Sequence, residues 1–289
     1  MPSEIIQWYP GHMAKTRRMI REMLPEVDFV IELCDARIPR SSSNPDLTKL
    51  EGAKPRLLVF TKTDLSDPAV TSGWKRYFQK KEEPACFVNL RERKTVSEIR
   101  EAVSVLMKEK TDKYRLSGMT GRPLRALVAG IPNVGKSTLL NLLAGQKKAK
   151  TEDRPGVTRD KQWINASAEA GGFELLDTPG VLWPKFDDQT IGENLAFTGA
   201  IRDEILDTER LALALCSRLA SSYPEKLIER YKITLPDGIK DHEIFDAIAK
   251  KRGYIISHGE IDSERTSVML LNEFREAKIG RISLEAPQC

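Results

Sequence analysis

Three histidines and four cysteines in 289 residues leave little material for a metal or redox centre built by the protein itself. Cys34, Cys86, Cys216 and Cys289 are scattered with no paired spacing, which excludes a zinc-binding cluster and a disulfide framework and suits reduced thiols in a cytosol. No apolar run approaches the roughly 20 residues that span a bilayer. The opening stretch Met1-Pro2-Ser3-Glu4-Ile5-Ile6 carries an acid and offers neither an apolar signal core nor an Arg-rich transit peptide. The expected location is the cytoplasm, with no membrane partner. Charge of one sign is scarce too: a net +4 and a pI near 8.8 are only mildly basic. Nucleic-acid contact would need local patches rather than a field over the whole molecule, and DNA is not an expected partner. No internal repeat or low-complexity tract stands out.

What is there is 40% hydrophobic and 30% charged, the composition of a globular protein with room for one large domain and a small one. Apolar runs bounded by turn residues predict strands at 29–36, 56–61, 85–88 and 124–129, and two more at 162–167 and 173–176 joined by a Gly-containing hairpin link at 168–172. Helices are predicted at 14–24, 69–81, 95–110 and 136–144. Strands alternating with helices in this way predict an α/β doubly wound, mostly parallel six-stranded sheet. The segment 183–189 is polar and marked by Pro184, so it reads as a loop. Beyond Leu206 apolar positions recur at spacings of three and four over 210–221, 224–231, 242–252 and 263–278, predicting a small all-helical domain. The resulting division is 1–205 and 206–289.

The pattern G-x-x-x-x-G-K-[ST] is met by Gly130-Ile131-Pro132-Asn133-Val134-Gly135-Lys136-Ser137 between a predicted strand and a predicted helix, the context that marks a phosphate-binding loop. Glycines there let backbone N–H groups turn inward, and the N-terminus of the following helix adds partial positive charge. Asn133, Val134, Gly135 and Thr138 belong to this cradle, and Lys136 would neutralise the outer phosphates. Ser137 would ligate Mg²⁺, with Asp177 of Asp177-Thr178-Pro179-Gly180 holding the ion's water shell. Thr158, between loop and hairpin, is positioned to meet Mg²⁺ and the terminal phosphate. The N–H of Gly180 would meet the same phosphate, completing a two-switch sensor.

A second motif, Thr61-Lys62-Thr63-Asp64, ends another predicted strand. Asp64 can accept two hydrogen bonds from guanine, from N1–H and the exocyclic amine, while the Lys62 stem can lie on the ring face. A lone K-x-D is also an ordinary surface turn; its place after a strand, with phosphate motifs elsewhere, favours guanine. Asn89 and Leu90 follow the next strand and would complete the base pocket. Proteins with this motif usually have Asn where Thr61 stands and Ser-Ala at Asn89-Leu90, and a hydroxyl at 61 can still bridge loops. The base motif precedes the phosphate loop, a rotation of the usual order.

Trp8-Tyr9-Pro10-Gly11-His12-Met13-Ala14-Lys15, Asp35-Ala36-Arg37-Ile38-Pro39 and the rotated motif order resemble the YlqF-type circularly permuted GTPases over almost the whole chain. The resemblance implies a Ras-like permuted domain with an N-terminal basic arm, GTP and GDP as ligands with Mg²⁺, and hydrolysis of GTP during late assembly of the large (50S) ribosomal subunit in a bacterial cytoplasm. It implies stimulation by that subunit and contact of the C-terminal helices with ribosomal RNA. It also implies a strand order, by first residue, of 162, 173, 124, 29, 56, 85, with the original termini rejoined through a polar link at 110–122.

Ras-type enzymes place a glutamine after Asp-x-x-Gly to orient the attacking water. Here Val181 follows Gly180, and an aliphatic side chain cannot do so. His12 lies in the segment the resemblance marks as catalytic and is the candidate replacement; the alternative is that it packs beside Trp8 or touches RNA. Asn133 resembles the residue that seats K⁺ against the phosphates in related GTPases. Lys15, Arg17, Arg18 and Arg21, and Lys147, Lys148 and Lys150 before the first switch, are either solvated faces or RNA contacts. Two rival functions stay open: an RNA-binding assembly scaffold with a vestigial nucleotide site, and an ATP-using phosphate-loop enzyme.

Overall fold

Seven consecutive buried residues form β1 (Phe29–Asp35). A continuous run, rather than alternation, is the mark of a strand covered on both faces. The computed structural model describes residues 18–45, 47, 54–119, 122–145, 163–166, 172–178, 180, 188–236 and 238–288. Around β1 lie β2 (Arg56–Thr61), β3 (Ala85–Phe87), β4 (Leu124–Gly130), β5 (Trp163–Asn165) and β6 (Phe173–Asp177) in a six-stranded sheet of order β3-β2-β1-β4-β6-β5. This is the order the permuted connectivity implies. All pairings are parallel except β5 with β6, which is antiparallel.

Helices follow the strands as a doubly wound fold requires: α1 (Pro39–Ser42), α2 (Pro68–Lys80), α3 (Thr95–Leu106), α4 (Lys108–Leu116) and α5 (Lys136–Ala144). Asp67 caps α2 by accepting from the N–H groups of Ala69 and Val70, with Pro68 at the first helical position. The buried side of α2 sets Trp74 and Phe78 against Phe60 and Cys34, with Phe60 stacked on Phe87 at 4.4 Å. Residues 18–23 are helical and bring Ile20, Met23 and Leu24 onto Val30, Leu127 and Leu176.

Two expectations need correction. The single helix predicted at 95–110 is two helices, broken at Met107 (φ −102°, ψ 9°), and the polar link predicted at 110–122 is largely α4. No residue of α4 is buried, so its amphipathic signal is weak and an electrostatic anchor holds it. Buried Asp28 accepts from Lys110 Nζ (2.6 Å), Tyr114 Oη (3.2 Å) and the Arg125 N–H (2.8 Å). The junction that rejoins the rotated chain is thereby tied to the start of β1 and β4.

The second correction concerns the domain boundary. Residues 188–284 form one compact unit, and the described residues before them, with 285–288, form the other. The division expected at 206 therefore falls inside the helical unit, which begins with α6 (Gln189–Phe197). Asp188 caps α6 by accepting from the Thr190 N–H, and Leu195, Ala196 and Phe197 are buried. It packs on α7 (Thr208–Ser222), the helix that also meets α8 (Pro224–Tyr231), α9 (Asp241–Arg252) and α10 (Ser263–Arg275). Within this unit buried Glu273 pairs with Arg230 (2.6 Å) and Arg252 (3.0 Å) and accepts from Tyr231 (2.9 Å). Among the described residues no helix is long and apolar enough to cross a membrane.

The Asp28 anchor has a pH signature. Burial works against its ionisation, but Lys110 and the Arg125 N–H outweigh it, so its carboxyl sits below its ordinary value of 3.8. A depressed carboxyl stabilises the fold above its unfolded pKa and loses that contribution as pH falls through the folded value. Asp28→Asn is expected to cost about 2 kcal/mol in urea unfolding at pH 7. The gap to wild type should close as pH drops below about 4; a gap independent of pH would remove the anchor.

Candidate functional site

Because β1, β2, β3, β4 and β6 run parallel, Asp35, Thr61, Phe87, Gly130 and Asp177 all end on one rim. The loops that follow β2, β3, β4 and β6 therefore open side by side, the arrangement in which doubly wound sheets bind ligands. Asp35 lies opposite Thr61, Leu33 opposite Gly130, and Val128 opposite Asp177. The base motif and the phosphate motif are brought together although the chain visits the base motif first.

Gly135 is the N-cap of α5 at φ +106°, a backbone state that a side chain would strain, and a Cβ there would come within 2.8 Å of Leu90. Leu90 thus reaches across from the loop after β3 to the phosphate loop. Asn133 holds the left-handed conformation at φ +57°. Lys136 folds its ammonium back toward the carbonyls of Gly130 and Ile131, each at 3.3 Å. Burial lowers its pKa to about 8, opposed by the charge of Asp177. Donors to an anion are in place, and the lysine rests on carbonyl oxygens that a phosphate would outbid. Ser137 and Thr138 follow on the first turn of α5.

Thr178 is buried and donates to the Val128 carbonyl at 2.7 Å, fixing the exit from β6 against β4. Gly180 then passes so near the phosphate loop that a Cβ would lie 3.0 Å from Pro132 Cα and 3.1 Å from Lys136 Nζ. A Cβ there would press on the Pro132 backbone, so the approach favours glycine. The hydroxyl of Ser137 and the carboxylate of Asp177 are hard oxygen donors suited to Mg²⁺, and the described residues contain no group of three or more His, Cys, Asp or Glu side chains that could cage a metal alone. This donor set fits an ion held chiefly by phosphate oxygens.

On the base side, buried Thr61 donates its hydroxyl to the Val134 carbonyl at 2.7 Å and lies 3.2 Å from the Cys34 carbonyl. The hydroxyl does bridge the two loops. Thr63 N–H reaches the Val88 carbonyl (3.4 Å), joining the base loop to the strand before Asn89-Leu90. The Asn89 side chain turns inward, donating to Glu92 and accepting from the Arg91 N–H. Asp64 is partly exposed and faces Arg91 at 3.5 Å. Lys62 sits at φ +59° with its ammonium 3.1 Å from Asp35.

His12, Thr158 and Val181 lie outside the described residues, as do Lys15, Arg17, Lys147, Lys148 and Lys150. Sequence reasoning missed four residues with paired side chains at or near these loops. Arg91 stands one residue past Leu90, a neighbour that proximity alone could have suggested. Asp35 and Arg37 were singled out only as a marker motif. Glu285 gave no signal: its carboxylate accepts from the N–H groups of Arg40 (2.6 Å) and Ser41 (3.0 Å) and from the Ser41 hydroxyl, at the N-terminus of α1. Trp74 Nε1 donates to its carbonyl at 3.0 Å.

Residues 125–233 match the family model described as 50S ribosome-binding GTPase. The chain is 48% identical over 285 residues to ribosome biogenesis GTPase A of Bacillus cereus, covering 98% of this chain and 95% of that protein. It is 45% identical to the protein of the same name from Bacillus licheniformis, covering 98% and 99%. Among solved structures it is similar to GDP-bound YlqF, with a TM-score of 0.67 at 26% identity over 93% of this chain and 99% of that one. Similarity to GNP-bound YlqF from T. maritima gives a TM-score of 0.63 at 27% identity, covering 95% and 99%.

The geometry has two measurable outcomes. Thr61→Val, which keeps the shape and removes the donor, should weaken GDP binding about tenfold, the equivalent of one lost hydrogen bond; unchanged affinity in a fluorescent-GDP titration would detach that bond from the site. Phosphates bound at Lys136 raise its pKa, so binding should take up protons above pH of about 8. Calorimetry in buffers of different ionisation enthalpy should show that uptake near pH 8.5 and little at pH 6.5 (conditions set about that pKa), and GDP affinity should fall as pH rises. Equal heats in all buffers at the higher pH would mean that the lysine does not titrate there.

Proposed function

This chain belongs to the ribosome biogenesis GTPase A (YlqF) family, and from that premise we propose that it is a switch that binds the precursor of the large ribosomal subunit in its GTP form and leaves on hydrolysis. It is a GTPase with a guanine-nucleotide role in ribosome biogenesis. The observation that carries the reading is the hydrogen bond from Thr61 to the Val134 carbonyl, which makes a base-reading loop and a phosphate loop one site.

Each residue's part follows from its chemistry. The turned-in amides of 133–138 and the Lys136 ammonium receive the β- and γ-phosphates, while Asp64 accepts from the guanine edge and Lys62 covers the ring. On binding, Asp64 exchanges Arg91 for the base. Ser137, with Asp177 through water, would hold Mg²⁺, which when bound neutralises charge on the phosphate oxygens. Gly180 presents its N–H where the terminal phosphate is gained and lost, and Thr158 acts with it. No glutamine follows Gly180, so His12 supplies the orientation of water, and Asn133 would hold a K⁺ ion, which when bound would neutralise phosphate charge where no arginine finger is assigned. The helical unit and the basic residues beside Trp8 and Tyr9 contact ribosomal RNA through phosphates, in the cytoplasm of a bacterium.

The experiment that tests this is steady-state GTP hydrolysis by the full chain alone, with isolated small subunits and with isolated large subunits, in K⁺ and in Na⁺. Turnover should rise only with large subunits and be higher in K⁺; stimulation by neither subunit favours a scaffold with a vestigial site. His12→Ala should abolish the stimulated increment without changing GTP affinity. Asp64→Asn should shift preference from GTP toward XTP by at least about tenfold, because an amide can donate to the xanthine 2-oxygen. Retained GTP preference would remove Asp64 from base recognition.

A further inference from the structure

The segment Asp35-Ala36-Arg37-Ile38-Pro39 takes no part in the phosphate-loop chemistry, yet it holds two charges enclosed in the sheet unit. The side chains of Asp35 and Arg37 are 1% and 2% exposed. Arg37 grips Asp35 twice, Nε to Oδ1 at 3.0 Å and Nη2 to Oδ2 at 2.7 Å, and its own N–H adds a third bond to Oδ1 at 3.0 Å. The Asp35 N–H is fixed in turn by the Ser42 hydroxyl at 2.9 Å. Such a pair already satisfies itself, and as a mere structural element it could be replaced by apolar packing at little cost. The third charge is what needs a reason: Lys62 approaches Oδ2 at 3.1 Å.

Lys62 occupies a left-handed backbone state, unusual for a residue with a long side chain, at the turn between Thr61 and Asp64. A lysine on an open turn would sample many rotamers, at a cost of about 2 kcal/mol when one is selected. Here the ammonium is tethered at one end and the backbone at the other, so the methylene stem is stretched between them. We propose that Asp35, aimed by Arg37, is a positioning residue for guanine-nucleotide binding: it fixes the Lys62 ammonium so that the stem forms a preformed wall for the base. The inference rests on reading the site as a guanine site. Arg37 bonds both carboxylate oxygens and thereby aims Oδ2, which it shares with the Lys62 ammonium. Burial opposes the ionised form of Asp35, and Arg37 and then Lys62 overcome that opposition and hold its carboxyl well below the usual carboxylate range.

Inorganic pyrophosphate separates this from general loosening of the fold, because it occupies the phosphate loop and makes no use of a base wall. In the full chain, Asp35→Asn should weaken fluorescent-GDP binding about tenfold while pyrophosphate competes as it does against wild type. In a Lys62→Met background the same Asp35→Asn change should have no further effect on GDP. Parallel loss of GDP and pyrophosphate, or full additivity in the double variant, overturns the proposal. Should Asp35→Asn not fold, Asp35→Glu keeps the charge and displaces it by about one bond length; a several-fold loss confined to GDP is then expected, and wild-type GDP affinity overturns the proposal. Wild-type protein that binds GDP no better than ADP would refute the guanine reading itself, whereas guanine selectivity combined with additive variants refutes only the role of Asp35.

Discussion

The pairing of β1 with β2 on one side and β4 on the other is the constraint on which the site depends. The strands β1 to β3 carry the Thr61–Asp64 motif and Asn89-Leu90, and β4 to β6 carry the glycine-rich loop and the exit to Gly180. In the chain these halves are consecutive blocks joined through α4; in space the parallel seam between β1 and β4 is where they meet. A slip of that seam by one residue would turn every side chain of a half to the other face of the sheet, and by two would carry Thr61 out of reach of Val134. The register is specified by burial on both faces: Phe29, Val30, Ile31 and Leu33 are fully enclosed, as are Ala126, Leu127 and Val128.

Polar bonds at the rim then convert this alignment into a rigid mouth. Thr61 joins the base loop to the phosphate loop, Thr178 joins the exit of β6 to β4, and Thr63 joins the base loop to the end of β3. Each couples the end of one strand to a different strand or its loop, and the Thr61 bond does so across the intervening β1. The buried partners are carbonyl oxygens, which would otherwise go unsatisfied, so the bonds serve the fold and the ligand site together. Asn89 shows the other solution: its amide is used inside its own loop, and the contact with the phosphate loop passes instead through Leu90 packing on Gly135.

Much of this was legible before any coordinate. Five parallel strands with turn-bounded apolar runs, and two motifs placed directly after such runs, define where the ligand must sit. The failures share a cause, which is that pattern reasoning sees periodicity and local chemistry but not pairing between distant charges. α4 is too polar to announce its docking, and its anchor is Asp28, some 80 residues earlier in the chain, a separation seen in the Tyr114 bond. α6 follows a proline-marked stretch and its apolar face, Leu195 to Phe197, is short, so the helical unit begins earlier than the longer periodic segments suggest. Asp35 and Arg37 entered from sequence only as part of a motif of resemblance; only the fold reveals that they are enclosed and that Asp35 also pairs with Lys62.

Rotation of the motif order gives the chain after β6 a new neighbour in sequence. In an unrotated chain the strands and helices of the base half come after it. Here residues 181–187 lead from Gly180 directly to the Asp188 cap and into the helical unit. The same unit ends at Leu284, and the next residue, Glu285, is locked by hydrogen bonds to the amides that open α1 and by its carbonyl to Trp74. The helical unit is therefore inserted into the other through two different chain connections, one following the β6 motif and one anchored by hydrogen bonds to the amides of α1 and to Trp74.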